Sequence, residues 1–272
     1  MKTTLKLILI YFGFQLLFTV LCVLFFGITS GSYTDGIEKA TVWGLFLSSI
    51  ALCLFLYSRN YLDHDKRTWS LNKPLKILLI SLGLTIPTVL LYELFNMYVP
   101  IPDLMEEAFS SMNNQWIGIL SIAIVGPIAE EFLFRGAIMR ALMKQFSPTK
   151  AIVISALIFG IIHLNPAQVL FAFLLGLIFG WIYYKTGSLI PVILMHIVNN
   201  SFSTFLSVSY PEVDYTIELV GNTTYYSIIA LAAVIFVICF IAFRQIKAVA
   251  WPNPEMAEMI PETEDIPQSN DE

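Results

Sequence analysis

The chain has 272 residues, 57% hydrophobic and 13% charged, with a formal net charge of −5 and a mean hydropathy of +0.75. Soluble domains are about 45–50% apolar and about 25% charged, so this composition excludes a soluble globular enzyme, a disordered tail protein and a nucleic-acid binder. The negative charge is local: residues 251–272 hold seven acids and no base, and without them 15 bases face 13 acids.

One membrane helix needs about 20 apolar residues, and eight apolar segments can be drawn: 5–27, 41–57, 75–95, 116–143, 150–164, 167–184, 188–206 and 224–243. The predicted fold class is therefore all-α, a polytopic membrane protein of about eight transmembrane helices. The first segment follows Lys2 and Lys6 and is too long for a signal-peptide core, so it reads as a retained anchor. The fourth is long and interrupted by charge. The fifth is short and ends at Asn165-Pro166, where proline disfavours helix in the residue before it. In the sixth, Gly176 and Gly180 are spaced for close helix approach. Cys22, Cys53 and Cys239 sit singly in apolar runs, with neither metal-ligand spacing nor a disulfide framework. The tail 251–272, with its seven acids and four prolines, reads as a disordered extension.

Basic residues favour the cytoplasmic side of a membrane. With the N-terminus inside, fourteen of the fifteen bases fall at cytoplasmic ends, and Lys39 alone falls outside. Both termini are thus expected in the cytoplasm. The expected organisation is 1–114 for the first three spans and loops, 115–205 for a core of spans four to seven, 206–250 for an external loop and the last span, and 251–272 for the tail.

Within the fourth span the sequence reads Ala129-Glu130-Glu131-Phe132-Leu133-Phe134-Arg135. A charge at mid-helix costs at least about 2.5–3.5 kcal/mol, so two adjacent carboxylates need a reason. Glu131 and Arg135 are four apart and share a helix face, with the acid ahead of the base. Glu130 is turned about 100° away and is left free to face a cavity as a general base. Gly126, one turn earlier, is expected to leave space beside Glu130, and Pro127 to allow a kink. Of three histidines, His64 lies in a loop and needs no function, whereas His163 and His196 fall inside predicted spans. Phe159 and His163 are four apart, as are His196 and Asn200, while Asn199 is expected to point elsewhere. At 1.5 Å per residue, Glu130 and His196 both fall about 10 Å from the cytoplasmic side of a ~30 Å core. His163 falls at about 20 Å, a mismatch.

Glutamate, two histidines and an amide form a water-activating set. Glu130 would take the proton from water, His163 would orient it, and His196 with Asn200 would stabilise an oxyanion. The same Glu130, His163 and His196 could instead hold zinc, since two histidines and a glutamate are a known catalytic ligand set, and zinc would activate its water. There is no H-E-x-x-H helix and no G-x-S-x-G elbow, and no paired aspartates occur within the spans.

These motifs, E-E-x-x-x-R at Glu130, Glu131 and Arg135, F-x-x-x-H at Phe159 and His163, and H-x-x-x-N at His196 and Asn200, resemble those of the CAAX prenyl protease 2 family, also called the CPBP or Abi group. The resemblance covers about residues 115–205. It implies an eight-helix membrane fold and endopeptidase activity in a bacterial cell membrane, on a membrane-associated or lipidated peptide or protein. It implies water activation by Glu130 and His163, an oxyanion site of His196 and Asn200, and support from Glu131, Arg135 and Phe159. It leaves metal dependence open between zinc and none. Prenylated CAAX substrates belong to eukaryotic members. Bacterial members are tied to bacteriocin self-immunity, peptide maturation or cell-surface phenotypes. The alternatives are a non-catalytic scaffold or self-immunity protein of the same family, and a proton-coupled transporter with Glu130 and the histidines as a relay. A transporter often carries inverted repeats, and none is visible.

Overall fold

A computed structural model describes residues 1–29, 33–62 and 66–251. His64 and nearly all of the acidic tail lie outside the described residues. Among the described residues all regular structure is helical. The long helices are α1 (Lys2–Thr29), α2 (Tyr33–Ser58) and α3 (Pro74–Tyr98), followed by a short α4 (Glu106–Asn113). Next come α5 (Trp116–Met143), α6 (Pro148–Ile161), α7 (Pro166–Thr186) and α8 (Ile190–Ser209). A short α9 (Thr216–Val220) precedes α10 (Asn222–Arg244). Seven of these helices are long and apolar enough to cross a membrane, and the chain is an integral, multi-pass membrane protein.

The fifth predicted span is present but short. With 14 residues, α6 is about 21 Å long, below the ~30 Å of a hydrocarbon core. His163 is not within this helix. It lies in a turn two residues beyond Ile161, and the turn continues through Leu164 in a left-handed conformation (φ 54°). Proline opens the next helix at Pro166, where its missing N–H costs nothing.

The ends of the bundle sort the chain as hairpin topology requires. At one end the Met1 amino group donates to Gln145 Oε1 at 2.9 Å, Arg140 donates to the Tyr61 carbonyl, and Leu189 N–H donates to the Thr68 carbonyl. Lys185 donates there to the carbonyls of Arg244 and Ile246. At the other end Asn165 meets Asp103, Asn113 meets Ser207 and Tyr98 meets Tyr226. The basic loops therefore share one end. Glu93, inside α3, accepts from the Thr216 N–H and hydroxyl at 2.7 and 2.9 Å, so this acid ties the start of α9 to α3.

Helix α5 is central, touching α1, α2, α6, α7 and α8. It is not a regular α-helix. Ser121–Val125 and Phe132–Met139 are wound as π-helix, and only Gly126–Glu131 between them is α-helical over the acids. The Gly126 N–H reaches back to the Ser121 carbonyl, five residues away. A Cβ on Gly126 would lie 2.8 Å from that oxygen. The glycine thus admits the wide turn rather than leaving room beside Glu130. The same wide turn precedes Pro127, whose ring cannot continue an ordinary helical ladder. Such π-bulges occur often at functional sites.

The α6–α7 pair is held close by the two glycines of the sixth predicted span. A Cβ on Gly176 would fall 2.9 Å from Ala156 Cβ, and one on Gly180 would fall 3.1 Å from Ile152 Cγ2. Helix α7 ends on Gly187, at φ +67°, with its N–H on the Tyr183 carbonyl, a left-handed cap that glycine adopts without strain.

Candidate active site

Helices α5, α6, α7 and α8 bring Glu130, Glu131, Arg135, Phe159 and His196 together. Arg135 is buried and donates through Nη1 to Glu131 Oε1 at 2.7 Å and through Nη2 to the Gly176 carbonyl at 3.3 Å. Its guanidinium lies 4.7 Å from the Phe159 ring centre and 5.3 Å from that of Phe179. Burying an ion pair costs several kcal/mol per charge. Here a charged hydrogen bond, a carbonyl and two aromatic faces offset that cost. The predicted Glu131–Arg135 pair is present in this geometry.

Glu131 does more than pair with Arg135. Its Oε1 also lies 2.8 Å from His196 Nδ1. A carboxylate facing a guanidinium only accepts, so Nδ1 carries a proton and donates. That fixes the ring and turns Nε2 toward Glu130 Oε2, 3.6 Å away. Glu130 retains 20% side-chain exposure, against none for Glu131 and 6% for His196. The two adjacent acids thus occupy different environments, one sealed in the network and one open to a gap beside an imidazole.

Phe159 links both histidines. Its ring meets His163 edge-on at 5.0 Å and His196 at 5.8 Å between centres. His163 Nδ1 lies 2.7 Å from the Phe159 carbonyl. A carbonyl only accepts, so this nitrogen donates as well and Nε2 is the nitrogen left for other partners. Phe179 packs on His196 at 5.5 Å, so the two phenyl rings hold the guanidinium and the imidazole in one aromatic clamp. Asn200 lies one turn beyond His196 on α8, and its Nδ2 donates to the Ile122 carbonyl at 3.0 Å. That carbonyl belongs to the first π segment, and the amide keeps a second hydrogen. Asn199 does not stand apart as expected, because it donates to Asn200 Oδ1 at 2.9 Å.

The zinc alternative fares differently. Among the described residues no three His, Cys, Asp or Glu side chains gather closely enough to hold a metal ion. Glu130, His163 and His196 therefore do not form a ligand set in this geometry. The nitrogen of His163 nearest its own helix is occupied by the Phe159 carbonyl.

Three contributors carry no motif in the sequence. Phe179 sits in an apolar run indistinguishable from lipid-facing phenylalanines. Tyr11 on α1 lies within electrostatic reach of Glu130, and nothing in the first span marks it. Asn165 is fully buried. Its Oδ1 accepts from Leu104 N–H at 3.0 Å and its Nδ2 donates to Asp103 Oδ1 at 2.9 Å. The turn that carries His163 is thereby latched to the loop before α4. The Asn165-Pro166 pair that follows His163 is the signal in the sequence that marks this turn.

Residues 112–202, the stretch that carries this cluster, match the family described as type II CAAX prenyl endopeptidase, Rce1-like. The resemblance read from the motifs holds. The Rce1-like segment takes in α5, α6, α7 and most of α8, with every residue of the three motifs. Among curated proteins the chain is 36% identical over 84 residues to "Putative membrane peptidase YdiL" of Bacillus subtilis (strain 168), covering 31% of this chain and 34% of that protein. It is 29% identical over 102 residues to "Membrane-embedded CAAX protease MroQ" of Staphylococcus aureus (strain USA300), covering 35% and 41% respectively. The matches span about a third to two fifths of the length of these relatives. No solved structure matches the chain. With seven apolar helices and bacterial membrane peptidases as relatives, the protein is of the bacterial multi-pass membrane kind.

Proposed function

We propose that this protein is an intramembrane endopeptidase, with the reaction carried by residues 115–205 and the substrate a membrane-associated or lipidated peptide. The observation that carries the reading is the pairing of Glu130 with His196 across a 3.6 Å gap, with the far side of the imidazole anchored on Glu131. A water held between Glu130 and a scissile carbonyl loses its proton to the carboxylate. The oxygen adds to the carbonyl carbon, and the oxyanion takes hydrogen bonds from His196 Nε2 and the second amide hydrogen of Asn200. Collapse breaks the C–N bond, and Glu130 returns the proton to the departing amine. His163, through Nε2, orients the water.

Donation from Nε2 while Nδ1 donates to Glu131 requires the imidazolium form of His196. In that form the cluster holds two carboxylates, one guanidinium and one imidazolium, and carries no net charge. Neutrality matters because an unbalanced charge in a membrane interior is expensive.

The test is cleavage by purified protein in detergent. Wild type and Glu130→Gln are incubated with a library of plain and lipidated peptides, with and without chelator, and products are read by mass spectrometry. Products from wild type alone are expected, unchanged by chelator. Cleavage that survives in Glu130→Gln would remove Glu130 from the mechanism. Loss of cleavage on chelation would reinstate the zinc reading. A wild type that cuts nothing, while Glu130→Gln still supports the protein's cellular role, would favour a non-catalytic scaffold or self-immunity protein.

A further inference from the structure

The outer face of α1 carries a groove of about 680 Å³ that is lined by none of the motif residues and falls within the 300–1,000 Å³ typical of ligand sites. Two neighbouring rows of the helix line it at four-residue spacing. One row is Lys2, Lys6, Ile10 and Phe14, and the other is Leu5, Leu9, Gly13 and Leu17. Phe55 of α2 closes one side, its ring 5.7 Å from that of Phe14. Gly13 interrupts the leucine row, and a Cβ built there meets nothing within 4 Å. The groove is therefore notched at the centre, apolar along its length and basic at one end. Lys2 and Lys6 are exposed and form no ion pair among the described residues.

We propose that this groove binds one anionic phospholipid, its phosphate between Lys2 and Lys6 and one acyl chain along Leu5, Leu9 and Leu17, seated in the Gly13 notch. Dimensions and charge both favour this occupant. Lys6 to Leu17 spans roughly 16 Å along the helix, about half of a ~30 Å hydrocarbon core, which is the depth of one leaflet. The two lysines stand where the span begins, at the basic end of the bundle, so they meet headgroups while their stems follow the apolar surface. A zwitterionic lipid would bring its own cation to the lysines and lose this complementarity. An apolar peptide would leave both charges unanswered.

The test uses the full chain, stripped of lipid and placed in nanodiscs of either phosphatidylglycerol or phosphatidylcholine with identical acyl chains. Native mass spectrometry reads the lipids that survive ejection from the disc. Wild type is expected to retain one phosphatidylglycerol, with a preference over phosphatidylcholine on the order of tenfold. The double variant Lys2→Gln with Lys6→Gln is expected to lose the preference. Gly13→Phe, which fills the notch but keeps the lysines, is expected to lose the retained lipid with an unchanged melting temperature. Equal retention of both lipids by wild type would overturn the proposal, as would a preference that survives in the double variant.

Discussion

Glu131 holds His196 by a 2.8 Å hydrogen bond to Nδ1 while the same oxygen accepts from Arg135 at 2.7 Å. One carboxylate oxygen thus fixes the orientation of an imidazole 65 residues away and neutralises a buried guanidinium. The arrangement is the acid-orients-histidine relation of hydrolytic triads, here with a second acid, Glu130, on the imidazole's other nitrogen. Glu131→Gln keeps the shape and removes the charge. Arg135 is left buried without its counter-charge, a loss of about 3–5 kcal/mol, and His196 Nδ1 exchanges a carboxylate acceptor for a neutral amide oxygen, which holds the donating ring more weakly. A large fall in melting temperature is expected, together with a loss of cleavage on the order of 100-fold. Wild-type cleavage by a stable Glu131→Gln protein would show that Glu131 does not position His196.

Close packing of α6 on α7 places Phe159 over Arg135. Gly176→Ala would put a methyl group 2.9 Å from Ala156 Cβ and 3.0 Å from its Cα, and neither can swing aside. Overpacking of this kind costs about 1–3 kcal/mol. Gly13→Ala meets open space and serves as the control. Thermal melts of the two variants should separate clearly, with Gly13→Ala near wild type. Equal melting temperatures would mean that α6 and α7 move apart freely.

The turn bearing His163 is held by Asn165. Asn165→Leu removes this partner from Leu104 N–H and Asp103 Oδ1, and because both residues are exposed the cost is that of the lost hydrogen bonds, about 0.5–1.5 kcal/mol each. The loop before α4 should loosen, with faster amide exchange at 101–105 and at 162–165. Unchanged exchange at 162–165 would show that the turn holds itself through the His163 bond to the Phe159 carbonyl.

Orientation can be read from cysteine labelling. With Cys22, Cys53 and Cys239 replaced by alanine, a membrane-impermeant maleimide applied to intact cells should label Asp214→Cys and spare Lys144→Cys. Both sites are exposed, and they lie on opposite ends of the bundle. The reverse pattern would place the basic end outside and overturn the charge-bias argument.

Much of this protein is written locally, and local features are what a sequence exposes. Span lengths, the sorting of basic residues, the Glu131–Arg135 pair and the shared face of His196 and Asn200 all follow from composition or from helical spacing, which is one short-range geometry. The close approach at Gly176 and Gly180 follows in the same way. Contacts between distant helices do not. The bond from Glu131 to His196, the clamp of Phe159 and Phe179, and the Asn165 latch depend on how α5 through α8 cross, and no spacing along one helix encodes a crossing. The π-winding of α5 was equally hidden, because a wide turn depends on which carbonyl a given N–H reaches rather than on which side chains recur. Sequence determined that two acids and His196 would lie within long apolar helices, with Glu131 over Arg135. Tertiary structure decided that the sealed acid, Glu131, also anchors His196 and that Glu130 faces the other nitrogen of the same imidazole, because that ring comes from another helix.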